Sequence, residues 1–207
     1  MKKAFILGMA AFASVALVAP MARAHFKLLE PTSWLVEDNL GNPQKMGPCG
    51  GTGTDADKLT DAVTKVVGGS LLHIKMQETV FHPGFYRVAL AVNSRTELPA
   101  DPEAITVPHG TGAPWSAAGK IVYPPQIPVL ADGLFIHNTK PTEAWETDVQ
   151  LPNINCNKCT LQIAEFMANH PLNKPGDYTY HHCADLAITA DPSKPVDAAW
   201  TPKTAQN

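Results

Sequence analysis

Histidine is the residue type with the most chemistry to offer in this chain, and one of the eight histidines stands where its own backbone could join in. Ala22-Arg23-Ala24-His25-Phe26 has the small-x-small form of a processing site, and a cut after Ala24 makes His25 the first residue of the mature chain. A free α-amine lies two carbons from the imidazole of the same residue. An N-terminal histidine therefore closes a six-membered chelate through its amine and Nδ1. Nitrogen donors in a roughly planar set suit Cu(II), which also heads the affinity order of the first-row divalent metals. One residue does not make a site, so the chain must supply a second histidine and a scaffold.

His82 is the best placed of the rest. It opens the turn His82-Pro83-Gly84, which fixes its backbone and sends its side chain to the end of a strand, where loops gather. His73 falls in mid-strand on a polar face, the usual place of a solvated histidine. His109, His137 and His170 lie in loops with no partner motif, and the expectation for each is a residue without metal.

The elements that must position these residues begin with a leader. Lys2 and Lys3, an apolar run from Ala4 to about Val18, Pro20 and the Ala22-Arg23-Ala24 pattern read as a secretory signal over residues 1–24, so a secreted or periplasmic chain starting at His25 is expected. The apolar run is shorter than the roughly 20 residues that span a bilayer, and no later stretch approaches that length, so no membrane span is expected. With the signal go Lys2, Lys3 and Arg23, so 13 basic side chains (16 less those three) face 19 acids. That balance argues against nucleic acid as a partner.

The remaining residues divide into one domain, 25–191, and a loose tail, 192–207, rich in Pro, Lys, Ala and Thr. With 19 prolines and 14 glycines and no repeat, long helices are disfavoured and short strands joined by turns are favoured. Strands are expected at 26–30, 60–67, 70–79, 85–92, 147–151, 160–167 and 178–189. In the second of the long ones Leu72, Ile74 and Met76 alternate with Leu71, His73 and Lys75, the period of a sheet with one buried face. Residues 93–133 read as irregular. Short strands with turn signals between them suggest an all-β antiparallel sandwich with long loops.

Four cysteines, Cys49, Cys156, Cys159 and Cys183, are an even number in an exported chain and favour two disulfides, whose pairing the spacing leaves open. Cys156-Asn157-Lys158-Cys159 could instead be a redox pair or a metal site. It runs into a strand-like segment rather than a helix, which lacks the thioredoxin-like context, and no second close pair completes a four-cysteine zinc site.

His25 as mature N-terminus, His82-Pro83-Gly84-Phe85-Tyr86-Arg87-Val88-Ala89-Leu90, Cys159-Thr160-Leu161-Gln162 and Tyr180-His181-His182-Cys183-Ala184-Asp185-Leu186, in this order after a signal, together resemble the lytic polysaccharide monooxygenases and their bacterial, chitin-binding type-4-like relatives. The resemblance implies an immunoglobulin-like or fibronectin III-like sandwich that holds one copper ion in a histidine brace. His25 would give its amine and Nδ1, His82 its Nε2, and Tyr180, three residues before Cys183, would take the axial direction. It implies that Cys183 ties the last strand to the loop bearing Cys49, leaving Cys156 and Cys159 to each other or to a rearranged pairing. Active members carry a glutamine or glutamate near copper, and Glu78, Gln162 and Glu165 are candidates of equal rank. His181 and His182 depart from the better known active branches, and either could approach the metal.

Three functions fit that picture. The first is a copper enzyme that, with an external reductant, oxidises C–H bonds of chitin or cellulose. The second is a protein that binds or carries copper for a copper-handling partner. The third is a metal-free carbohydrate-binding sandwich. The four Trp and four Tyr are few for a flat polysaccharide-binding face; Trp34 is the only tryptophan close in sequence to His25, and no appended carbohydrate-binding module follows.

Overall fold

A computed structural model describes residues 24–172 and 178–200. The expected signal, save Ala24, and the end of the expected tail lie outside them. The core is a pair of facing sheets. One has three strands in the order β1 (His25–Glu30), β3 (Leu71–Val80), β8 (Trp145–Gln150). The other has five, in the order β2 (Val63–Val67), β11 (Thr179–Thr189), β9 (Cys156–Met167), β4 (Gly84–Ala91), β7 (Val129–His137). Pairing is antiparallel throughout both except for β2, which runs parallel to β11. The all-β sandwich expected from the sequence is the fold.

Period-2 patterning decides which side chains meet between the sheets. From the smaller sheet Phe26, Leu28, Leu72, Ile74, Met76 and Val149 point inward, with Leu71 and His73 on the solvent side, as the alternation predicts. From the larger come Tyr86, Val88, Leu90, Leu161, Ile163, Tyr180, Ala184, Leu186 and Ile188. The larger sheet is also buried on its outer face, where Cys49, Cys183, Ala89, Ala91 and Leu98 form a second cluster with Trp34 against it. This explains why β4 and β11 are buried along nearly their whole length. Tyr180 and Cys183 fall on opposite faces of β11, one in each cluster. Cys49 pairs with Cys183 and Cys156 with Cys159.

The stretch 93–133 is more regular than its sequence suggests. It contains β5 (Ala104–Val107), β6 (Trp115–Gly119) and the start of β7, and β6 also pairs with the two-residue β10 (His170–Pro171) to make a third sheet. β5 is mostly exposed and β6 buries only Ser116, so neither carries an apolar alternation to read. In β7 the period is broken by register shifts and by positive φ at Gly133 (+69°) and Phe135 (+51°). Likewise the segment from 192 is docked as far as Trp200: Asn153 N–H donates to the Asp197 carboxylate at 2.6 Å, and Trp200 packs against the main core.

Candidate metal centre

The register of two strands brings the first two candidates to one end of the sandwich. His25 lies opposite Val80, the last residue of β3, and His82 follows two residues later. Thr79 fastens the junction by donating its hydroxyl to the His25 carbonyl at 3.0 Å and to that of Leu40 at 2.8 Å. Both histidines are buried, at 4% and 3% exposure. Ala24 precedes His25 and is buried in the core, so in this chain the His25 nitrogen is an amide.

His82 is held on two sides. Its N–H donates to Glu78 Oε1 at 2.7 Å, and its Nδ1 lies 3.3 Å from the Pro83 carbonyl. A carbonyl only accepts, so Nδ1 carries the proton and Nε2 carries the lone pair. Burial, with the neighbouring His170 and His137 adding to it, keeps the His82 pKa below its ordinary value, so the ring is neutral and ligand-ready near neutral pH. Against the His25 ring stands Tyr180, edge to face with centroids 5.3 Å apart.

Behind these residues one ladder row crosses the larger sheet: Tyr180 is opposite Glu165, and Glu165 is opposite Tyr86. Glu165 is fully buried. Burial and the Glu78 charge push its pKa well above the carboxylate range, so it is a neutral acid. Burial raises the Tyr86 pKa, and Glu165 and Glu78, once ionised, raise it further. Among the described residues, neither the Glu165 oxygens nor the Tyr86 hydroxyl closes a well-formed hydrogen bond, although the groups face one another. Glu78 Oε2 lies 3.4 Å from His137 Nε2, and among the described residues neither atom closes a well-formed hydrogen bond. Burial opposes charge on His137, but Glu78 and the Phe135 carbonyl outweigh it and raise its pKa.

The three carboxyl and amide candidates thus separate. Glu78 touches His82, Glu165 stands behind through Tyr86, and Gln162 lies on the other face of β9, where its Nε2 donates to the Pro48 carbonyl at 2.8 Å. His181 also faces away, with Nε2 2.7 Å from Asp101. His182 stays on the inner face with Tyr180, stacked edge-on to Phe26 at 4.6 Å. Two histidines read as ordinary loop residues come to the site instead: His137 through Glu78, and His170, whose ring is 5.5 Å from that of His82. His170 repeats the local device of His82, with Nδ1 3.1 Å from the carbonyl of the proline that follows it. The repeated His-Pro dipeptide was the available signal. His109 stacks on Trp115 at 3.8 Å, and His73 meets Asp148 on the surface.

Among the described residues, no three His, Cys, Asp or Glu side chains form a group that could hold a metal ion. A brace asks for two imidazoles and a main-chain amine, and the buried, neutral, tautomer-fixed His82 beside the His25 strand suits that donor set. Among the described residues no helix is long and apolar enough to cross a membrane. No protein-family model matches the chain, and no curated protein matches it.

Proposed function

We propose that the chain, processed before His25, is an exported copper protein that oxidises polysaccharide C–H bonds, with one ion held by the His25 amine and Nδ1 and by His82 Nε2. The observation that supports this reading is the β1–β3 register, which sets His25 against Val80, two residues before His82. Copper bound there would supply the one-electron chemistry for activating oxygen or peroxide once an external reductant is present. The chain's own part is to hold the two rings, to keep His82 in its Nδ1–H tautomer, and to keep Glu78 occupied. Glu78 Oε1 is taken by the His82 N–H and Oε2 faces His137 at 3.4 Å, which favours a carboxylate that orients a ligand over one that binds the metal.

A second reading, copper binding or carriage without oxidation, draws on His170. A further imidazole beside His82 could occupy the position that an oxidase leaves open. Metal-free binding of carbohydrate is the third. Copper-loaded mature protein incubated with ascorbate and either chitin or cellulose separates them. Soluble oligosaccharides with oxidised ends, absent without reductant, are expected; tight copper binding with no oxidised product from either polymer would instead assign carriage.

A further inference from the structure

Among the described residues β1 is an edge strand: β3 pairs with one side of it, and the other side has no strand partner in its sheet. An edge that is buried must satisfy its N–H and C=O groups some other way. Here side chains do it. Phe26 N–H donates to Gln44 Oε1 at 3.1 Å, and Leu28 N–H to the Glu37 carboxyl at 3.2 Å. The Phe26 carbonyl accepts from His182 Nε2 at 2.9 Å. The donors and acceptors are linked among themselves, since His182 Nδ1 lies 3.1 Å from Glu37 Oε1. With Nε2–H given to Phe26, Nδ1 is an acceptor, and Glu37, whose pKa burial raises to about 7, suits it when its carboxyl is protonated.

The loop that carries Glu37 and Gln44 is itself fixed. Gln44 Nε2 donates to the Leu40 carbonyl, and the Gln44 carbonyl accepts from His181 N–H on β11 at 2.7 Å. Gly41 sits so close that a Cβ there would fall 1.8 Å from the Phe26 carbonyl oxygen, and its φ is +95°. The segment 37–44 together with His182 therefore stands where a neighbouring strand would stand, one residue from His25.

We propose that Glu37, His182 and Gln44 are positioning residues for the metal centre, which clamp the free edge of β1 and thereby fix where the His25 amine and ring are presented. The inference rests on the copper reading above. Its reason is leverage: His25 begins the strand, and the clamp at Phe26 and Leu28 acts one and three residues along from it, adding to the Thr79 hydroxyl on the His25 carbonyl. Removing outer partners of metal ligands typically costs about 10–100-fold in affinity.

The test uses the mature protein and its His182→Ala, His182→Gln and Glu37→Ala variants, compared by Cu(II) competition titration, EPR, and amide exchange at Phe26 and Leu28 in the metal-free state. Both alanine variants are expected to lose about tenfold or more in Cu(II) affinity with a shifted or broadened EPR spectrum. Glu37→Ala should also lose protection at Leu28. The glutamine variant, whose amide N–H can reach the same carbonyl, should recover most of both signals. Alanine variants that keep native circular dichroism and bind Cu(II) with unchanged affinity and spectrum overturn the proposal. Should His182→Ala not fold, Glu37→Ala carries the same test. If the unmodified mature protein has no tight site, the copper reading fails, and the exchange data alone judge the clamp: unchanged protection in Glu37→Ala refutes it.

Discussion

Glu78 accepts the backbone N–H of His82 at 2.7 Å, so the residue proposed as a copper ligand is tied by its main chain to a buried carboxyl four residues earlier in sequence. Glu78→Ala would leave that N–H unpaired and His137 without its carboxyl partner, at a cost of about 1–3 kcal/mol. Glu78→Gln retains an acceptor and should cost less. Urea unfolding of the metal-free variants measures both.

His82→Ala removes a ligand and should weaken Cu(II) binding beyond the roughly 10–100-fold typical of outer partners. His170→Ala, on the oxidation reading, should leave the affinity within about threefold. A loss of tenfold or more there would favour carriage. Competition titration with a chelator of known affinity decides between them.

How much of this was legible in the sequence depended on whether a residue's role was local. The alternation of Leu72, Ile74 and Met76 specified a buried face because the period of a strand is a local property. His82 stood out because Pro83 and Gly84 define its turn. β5 and β6 were missed because strands that bury almost no apolar side chain are held by pairing rather than by patterning. The ranking of Glu78, Gln162 and Glu165 required register, since a one-residue difference in parity sends Gln162 to one face of β9 and Glu165 to the other. His170 was missed because β10 is two residues long, and its place beside His82 is set by pairing with β6 and by the Ala168 N–H bond to the Pro83 carbonyl, neither of which leaves a period in the sequence. The loop from Glu37 to Gln44 read as polar and irregular, yet its side chains cover an edge that no sequence period could reveal.

The Glu37–His182 contact gives a pH prediction with two opposed signs. Burial raises the Glu37 pKa from 4.5 to about 7, so its contribution to stability is present below about pH 4.5 and is lost as pH rises through 7. Burial lowers the His182 pKa from 6.5 to about 4, so its contribution is present above about pH 6.5 and is lost as pH falls through 4. Between these limits the two slopes oppose, and the pair is a neutral hydrogen-bonded unit rather than an ion pair. Relative to the unmodified metal-free protein, Glu37→Gln should therefore lose stability from pH 7 to pH 5, and His182→Gln should gain it, each by on the order of 2 kcal/mol. Denaturant midpoints at the two pH values check the signs.

The Cys49–Cys183 disulfide spans 134 residues and anchors the loop that follows Gln44 to the strand carrying Tyr180 and His182. Replacing both cysteines with serine should cost about 2–5 kcal/mol. Cys156–Cys159 closes a three-residue separation, and its removal should cost less, because loop-closure entropy grows with the span closed. Thermal unfolding of the two double variants gives the comparison.

The brace itself is tested most directly by titrating the protein that begins at His25 with Cu(II), recording its EPR spectrum, and repeating both on a version with one extra residue before His25. The amine, with an unperturbed pKa of roughly 8, must lose its proton to bind, so its removal as a donor is visible near neutral pH. One tight site with a three-nitrogen spectrum in the first protein, lost or altered in the second, is the predicted result. Equal binding by both, or tight binding by neither, would contradict the account.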